Sequence, residues 1–303
     1  MTLQYSVGLR GSAALTFRDR KWAKGRCLDA LVSGRTLCSH SAMKLILNRI
    51  FDFAVLTTGA LMLVAGCSTV PETGRSQLNI ISPSQEMELG LSSFQGIKKQ
   101  VPISKDANAN AMLQRVGKRI AAVAPLPHAQ WEFVLFESAE ANAFCLPGGK
   151  VGVYTGILPI TKSEAGLATV IGHEVAHAVA RHGGARMSEQ LAMQGLGHVL
   201  GSAVGEKYQA ITMAAYGVTT QVGIALPHSR LQESEADHIG LLYMARAGYD
   251  PEEAVLFWQR FAASHGGAGA GPAFLRTHPL DSKRITDLKA LMPAAKAEFR
   301  PAK

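Results

Sequence analysis

Cysteine is scarce in this chain, with only four in 303 residues. Cys27 and Cys38 lie near the start, Cys67 follows an apolar segment, and Cys145 is the only one beyond it. We therefore expect no disulfide, which excludes a fold held together by cross-links. Cys145 lies in an apolar, strand-like run, and this favours a buried structural thiol over a nucleophile.

Long apolar runs and strong net charge are also missing. After position 67 no apolar run reaches the length of about 18 residues that a membrane-spanning helix needs. Residues 1–42 contribute +5 and residues 43–66 contribute +1 to the formal charge of +8, which leaves +2 for residues 67–303. So small a charge gives no reason to expect a nucleic-acid partner.

Residues 43–66 have the layout of a secretory signal peptide. Lys44 and Arg49 form a short basic start, and residues 53–65 form an apolar core that is too short for an ordinary membrane span. The alternative is an uncleaved anchor over residues 51–66, and the shortness of the apolar run argues against it.

Residues 1–42 would be an abnormally long leader for such a signal. They hold seven Lys or Arg and two Asp and lack clear periodicity. We predict that translation starts at Met43, which makes residues 1–42 a doubtful leader. Residues 67–303 are then the mature part, and their 237 residues are enough for one domain with a substantial core.

The most informative motif is His-Glu-Val-Ala-His at residues 173–177. Apolar residues recur around it at helical spacing, Thr161 to Glu164 has the form of a capping box, and Gly183-Gly184 is predicted to stop the helix. The motif therefore lies on a helix, as the H-E-x-x-H pattern of metallopeptidases requires.

On such a helix His173 and His177 lie one turn apart on one face and can hold one zinc ion. Glu174 is rotated by about 100° around the axis, so it can reach a water at the metal without being a ligand. Two histidines can also share a buried helix that binds no metal. A third ligand is therefore needed to support the zinc interpretation.

The long metzincin form would supply that ligand as a histidine at position 183, but the chain has Ala180 and Gly183 where that form has Gly and His. A second helical pattern opens at residues 229–237, where Glu233 and Asp237 share a face.

Glu233 would complete a His, His, Glu site that leaves one coordination position open. Asp237 could accept the second ring N–H of a ligating histidine. The alternative for these acids is a solvated helix start, and for Glu235, which points away from Glu233, we prefer that alternative.

The order of motifs resembles a known family. His-Glu-Val-Ala-His is followed by E-x-x-A-D at 233–237, Ala-Gly-Tyr-Asp-Pro at 247–251 and Thr-His-Pro at 277–279. This order is similar to that of the zinc peptidases that include the type I CAAX prenyl proteases and the heat-shock protease HtpX, over residues from about 70 to about 292. The resemblance implies a mainly helical α+β fold of the zincin (gluzincin) type, with a small β-sheet or hairpin beside the zinc helix. It also implies one Zn²⁺ per chain and metalloendopeptidase activity.

The predicted substrate-binding residues and His278 come from the resemblance alone. Asn142, Ala143 and Phe144 resemble the hairpin beside the family's cleft, which would bind an extended substrate. His278 would lie near the metal and either assist the transition state or coordinate zinc reversibly. The glycine-rich residues 266–272 would then form a mobile loop that gates the site. His182 is interpreted as a structural residue favoured by the dipole at the end of the zinc helix.

The nearest resemblance is to small bacterial lipoprotein members of the family. Residues 64–67 read Val-Ala-Gly-Cys and resemble a lipobox, which implies a lipid on Cys67 as the membrane contact. We expect a location on the periplasmic face of the outer membrane, with the inner membrane as the alternative. Expected partners are unfolded or misassembled envelope proteins as substrates, together with the outer-membrane assembly machinery. The alternative function is a chaperone or assembly factor that seldom cleaves.

Overall fold

The computed structural model describes residues 49–50, 67–193, 229–264, 274, 277–278 and 283–301. By internal contacts the chain divides into residues 1–59 and residues 60–303. The predicted leader, the glycine-rich loop and nearly all of the predicted signal peptide lie outside the described residues. Within the described ranges, no helix is both long and apolar enough to cross a membrane.

The second unit is mainly helical with small sheets, so the predicted α+β fold is confirmed. Strands β1, Cys67–Thr69, and β2, Ser76–Leu78, pair in an antiparallel hairpin. Helix α1, Pro83–Gln100, begins at a capping box. Helix α2, Ala107–Ala121, follows it.

A three-stranded sheet comes next, formed by β3, Glu132–Phe136, β4, Ala143–Leu146, and β5, Lys150–Tyr154. The strand order is β3-β5-β4, with β3 parallel and β4 antiparallel to the central strand. Gly148 and Gly149 turn the predicted hairpin at φ values of +80° and +78°, which favour glycine. Among the described strands, β4 is therefore an outer strand of this sheet.

The cap of the helix that carries His173 and His177 lies two residues later than predicted, at Ser163 instead of Thr161. A 3₁₀ turn, Thr155–Ile157, and a short helix α3, Leu158–Thr161, precede helix α4, Glu164–Val179. Lys162 has a φ of 61°, so the chain reverses after α3. This leaves Ser163 extended, and its hydroxyl accepts the Gly166 N–H at 3.0 Å. The prediction that Thr161 caps the helix is wrong.

The predicted stop at Gly183-Gly184 is also wrong. Helix α4 ends at Val179, and both glycines lie inside helix α5, His182–Met193. The break falls at Arg181, which has a left-handed φ of 53°. Its guanidinium donates to Glu86 at 2.9 Å and to the Ile81 carbonyl at 2.7 Å, and these bonds offset the backbone strain.

Three longer helices complete the described chain: α6, Arg230–Arg246, α7, Glu252–Ala263, and α8, Arg284–Glu298. Helices α4 and α6 cross at two glycines. A Cβ built on Gly172 would lie 2.9 Å from the Gly240 carbonyl oxygen, so only hydrogen atoms on both sides permit this approach. The crossing brings the first turns of α6 against the histidines of α4.

Candidate active site

His173 and His177 lie one turn apart in α4, and both are buried. Their Nε2 atoms are 3.1 Å apart. Every residue from Gly166 to Val179 is buried. Because polar rings are costly to bury without partners, both imidazoles need groups from other elements.

Glu233 in the first turn of α6 supplies one such partner. Its Oε1 lies 3.3 Å from Nε2 of His177, and its Oε2 lies 3.5 Å from Nε2 of His173. The position is set locally by Ser229, whose capping box with Gln232 begins α6. Two imidazole nitrogens and one carboxylate form a donor set typical of catalytic zinc.

His278 is the fourth member of the cluster. Its Nδ1 lies 2.9 Å from Oε1 of Glu233 and 3.3 Å from Nε2 of His173. One ligand atom from each of His173, His177, Glu233 and His278 lies within 4.8 Å of all the others. Since zinc binds nitrogen and oxygen at about 2.0 to 2.2 Å, one ion could contact atoms at these separations.

Glu174 lies beside the cluster, next to His278. The side chain is buried, and its Oε1 lies 3.3 Å from Nε2 of His278. That oxygen makes no hydrogen bond within the described residues. Burial raises the pKa of Glu174, although the charges of His278 and His173 oppose the rise. Such a carboxyl is suited to taking up a proton and returning it.

Residues 107–292 match the sequence profile of Peptidase family M48. The chain belongs to this family. It is accordingly a metalloendopeptidase, and its buried cluster is the candidate site for one zinc ion. The M48 match confirms, at the level of the family, the resemblance inferred from the motifs.

Several known proteins are similar to this M48 chain. The mitochondrial metalloendopeptidase OMA1 of Schizosaccharomyces pombe is 32% identical over 248 residues, which cover 81% of this chain and 72% of that protein. OMA1 of Arabidopsis thaliana is 37% identical over 205 residues, or 66% of this chain and 40% of the relative. The β-barrel assembly-enhancing protease of Escherichia coli is 26% identical over 228 residues, or 73% of this chain and 46% of the relative. The match therefore spans less than half of the last two proteins.

Asp237 lies one turn beyond Glu233 and faces the other nitrogen of His173. Its Oδ1 is 2.9 Å from His173 Nδ1. Burial alone would lower the pKa of His173, but the hydrogen bonds to Asp237 and Glu233 raise it to about 9. A histidine that binds zinc through Nε2 keeps its proton on Nδ1, the atom that Asp237 contacts.

Arg284, at the start of α8, is a site residue that the sequence did not reveal. It is buried, and its Nη2 donates to Asp237 at 2.7 Å and to Glu233 at 3.0 Å. The guanidinium carbon also lies 3.5 Å from the ring centre of Trp258. Burial would raise the pKa of Glu233, but the charges of His278 and Arg284 hold it well below the ordinary range. One signal was available: a cation at a helix N-terminus is unfavourable unless it is paired.

His182 is the first residue of α5, so the prediction that it lies at the C-terminal end of α4 is wrong. Glu235 also differs from its prediction. Nδ1 of His177 lies 2.8 Å from Nδ1 of His182, and Nε2 of His182 lies 2.9 Å from Oε2 of Glu235. Both residues are buried, so Glu235 is not part of a solvated helix start. The prediction for Glu235 failed because His182 of α5 and Arg75 of the β1–β2 hairpin both contact its carboxylate, at 2.9 Å and 2.6 Å.

The predicted substrate-binding residues occupy the outer strand and the residue before it. The Asn142 carbonyl accepts the Tyr154 N–H at 3.0 Å, so the backbone groups of Asn142 and Phe144 face β5 while those of Ala143 face outward. The Phe144 ring is buried in an aromatic cluster with Phe94, Phe136 and Tyr154. Phe144 is therefore a core residue, and Ala143 and Cys145 carry the outward backbone groups.

Asn142 is fully buried, and its Oδ1 accepts the outward Ala143 N–H at 3.0 Å. The Nδ2 of the same side chain has no hydrogen-bond partner in the described part of the chain. Cys145 is also buried, as predicted, and burial raises the pKa of its thiol. Cys67, by contrast, is exposed at the start of β1.

Proposed function

We propose that this protein is a lipid-anchored zinc endopeptidase of the bacterial cell envelope, which cleaves unfolded or misassembled envelope proteins. One observation carries the catalytic part: Glu174 lies beside a cluster of His173, His177 and Glu233. Asp237 contacts Nδ1 of His173, the ring nitrogen that does not face Glu233 and His177.

The donor chemistry fits zinc because two imidazoles and one carboxylate converge in a buried space, while Oε1 of Glu174 has no hydrogen bond to a described residue. We assign His173, His177 and Glu233 as the ligands of one ion per chain. When bound, zinc supplies Lewis-acid polarisation of the scissile carbonyl and makes water more acidic.

Glu174 acts as the general base in this proposal. It takes a proton from the attacking water as the oxygen bonds to the carbonyl carbon, and it returns the proton to the amine nitrogen as the C–N bond breaks. Its raised pKa suits this double role, because the proton must be neither too weakly nor too tightly held. Asp237 keeps His173 in one tautomer and one orientation throughout.

His278 is placed to control access to the metal position. Its Nδ1 lies 3.3 Å from His173 Nε2, so it can share the metal position in a resting state. We infer that it gates the site in this way and moves aside when substrate enters. Its contact with Glu174 means that this movement would also release the base.

An extended segment of substrate would pair with the outer edge of β4. Ala143 and Cys145 direct their backbone groups to this edge. A peptide that adds as a further strand is recognised through its backbone, which is accessible in unfolded proteins and already paired in folded ones. Asn142 must release the Ala143 N–H before that pairing can form.

The membrane assignment depends on the predicted signal and on Cys67. Cys67 is exposed at the start of β1, so a lipid on this residue would not disturb the packed core. The E. coli relative is named for β-barrel assembly, which supports a role at the outer membrane, whereas the OMA1 relatives are named as mitochondrial. Mass spectrometry should find an acylated N-terminal Cys67, and an intact leader before an unmodified Cys67 would contradict the proposal.

Burial of the site supports a second function, that of a chaperone or assembly factor. The exposed fractions of His173, Glu174 and His278 are 2%, 3% and 1%. A client could therefore be bound at β4 without reaching the catalytic groups. A variant without the base that still assists envelope-protein assembly fully would favour this function.

Two substitutions test the catalytic proposal. Glu174→Gln should keep zinc but lose about 10²-fold to 10⁴-fold in cleavage of an unfolded protein such as casein, because proton transfer is removed. Glu233→Ala should lose bound zinc as well as activity. Cleavage at the parent rate by Glu174→Gln would disprove its role as base, and unchanged zinc content in Glu233→Ala would move the third ligand elsewhere.

A further inference from the structure

His177 is the first of four side chains in contact, followed by His182, Glu235 and the partly exposed Arg75. His182 is fully buried between His177, at 2.8 Å, and Glu235, at 2.9 Å. His173 meets its carboxylate directly, through Asp237 at 2.9 Å. Each histidine of the H-E-x-x-H motif thus leads to a carboxylate of α6, one directly and the other through a second imidazole.

The direction of these hydrogen bonds follows from the use of Nε2 of His177 as the zinc ligand. That nitrogen must be free of a proton, so the proton of the neutral ring is on Nδ1 and is donated to His182. Nδ1 of His182 then accepts, and its proton lies on Nε2, which donates to the carboxylate of Glu235. The two contacts therefore define one tautomer for each ring.

Glu235 is itself held by the β1–β2 hairpin. Arg75 donates to its Oε2 through Nη2 at 2.6 Å and Nε at 2.9 Å, and the Thr73 hydroxyl donates to its other oxygen. Nη2 of Arg75 also donates to Gln77 at 2.8 Å, and Gln77 donates to the Ala180 carbonyl just beyond the end of α4 at 2.5 Å. The hairpin is therefore bonded both to the carboxylate and to the end of the helix that carries His177.

We propose that His182, Glu235 and Arg75 are positioning residues that fix the tautomer and orientation of His177 and thereby set the zinc affinity of the site. This inference rests on the proposed zinc-peptidase function. It goes beyond that function because it makes the N-terminal hairpin, which precedes the residues matched to the M48 profile, a part of the metal centre.

Substitutions in the full chain can separate this role from general packing. Glu235→Gln removes the charge at the end of the series, and His182→Phe removes the ring nitrogen that accepts from Nδ1 of His177. His182→Asn is the conservative variant, because its amide oxygen can still accept from His177 although it loses Glu235. The matched control is Glu72→Gln, since Glu72 and Arg246 also join the hairpin to α6, at 2.9 Å.

The readouts are the zinc dissociation constant, from competition with a chromophoric chelator, and the absorption spectrum of the cobalt(II)-substituted protein. We expect Glu235→Gln and His182→Phe to bind zinc about 10-fold to 100-fold more weakly and to change the cobalt spectrum. His182→Asn should recover part of the affinity. Glu72→Gln should match the parent in both readouts, even where its unfolding midpoint falls as far as that of Glu235→Gln.

Zinc affinity and cobalt spectrum unchanged in Glu235→Gln would overturn the inference, as would an equal loss of affinity in Glu72→Gln. If His182→Phe does not fold, Glu235→Gln and Glu72→Gln still decide the question. Failure of the proposed function is distinguishable, because the parent would then bind no zinc or cleave no protein before any comparison of variants.

Discussion

Gly172 and Gly240 touch backbone to backbone where α4 crosses α6, and a Cβ on Gly240 would lie 2.8 Å from the carbonyl carbon of Gly172. His173 follows the first glycine directly, and Asp237 lies one turn before the second. The distance between the two helices therefore sets the distances between the histidines and the acids of the site. Larger residues at the crossing would separate the two halves of the donor set.

Gly240→Ala tests this relationship. Alanine normally favours a helix by about 1 kcal/mol over glycine, so helix propensity alone predicts a gain in stability. We expect instead a loss of about 1 to 3 kcal/mol in the free energy of unfolding, because the added methyl group forces the backbones apart. Zinc affinity should fall as well. Urea unfolding and chelator competition measure the two effects, and a variant more stable than the parent would contradict this account.

His278→Ala tests the gate. If His278 shares the metal position in the resting protein, its removal should raise basal cleavage of casein while zinc content stays normal. If it stabilises the transition state instead, kcat should fall with zinc content unchanged. We predict the increase. Normal zinc content with slower cleavage than the parent would reverse the assignment.

Arg284→Met should destabilise the protein more strongly without zinc than with it. The guanidinium is the buried positive partner of Glu233 and Asp237, and removal of one partner from such a pair costs about 3 to 5 kcal/mol. A bound zinc ion supplies positive charge in the same space and should offset part of this loss. Urea midpoints of parent and variant, with zinc and with chelator, measure the difference. Equal losses in both states would show that Arg284 acts only through packing against Trp258.

Cys145 should be unreactive in the native protein. Burial raises the pKa of its thiol, and the neighbouring charge of Glu174 raises it further. The native thiol therefore keeps its proton at a pH where an unfolded cysteine, whose pKa is about 8.5, has begun to lose it. Mass spectrometry of the Cys145 peptide after iodoacetamide treatment should find labelling only in urea, with a rate that increases with pH. Rapid native labelling would contradict burial of the strand.

Helical periodicity was sufficient to predict several parts of the site from the sequence. Residues four positions apart share a face, so His173 and His177 had to point together, as did Glu233 and Asp237. The hairpin of β4 and β5 was predictable for another local reason: Gly148 and Gly149 adopt backbone angles that other residues avoid. These features depend only on neighbours in the chain.

The two ends of helix α4 were less predictable, because several residues could begin or end the helix. Thr161 and Ser163 can both cap a helix, and the left-handed turn at Lys162 selects Ser163. At the other end, Gly183 was the obvious stop, but the ion pair with Glu86 holds the break at Arg181. The decisive partner here is 95 positions away in the sequence.

The sequence by itself determined which side chains share a helical face, and therefore the H-E-x-x-H ligand pair and its family. Only the tertiary structure decided which acids are buried and what they contact. Glu235 and Asp237 are buried beside the candidate zinc site because His182, Arg75 and Arg284, which are distant in sequence, form hydrogen bonds to their carboxylates. A solvated acid and a buried acid have the same local pattern, and only the packing of other elements removes one of them from water.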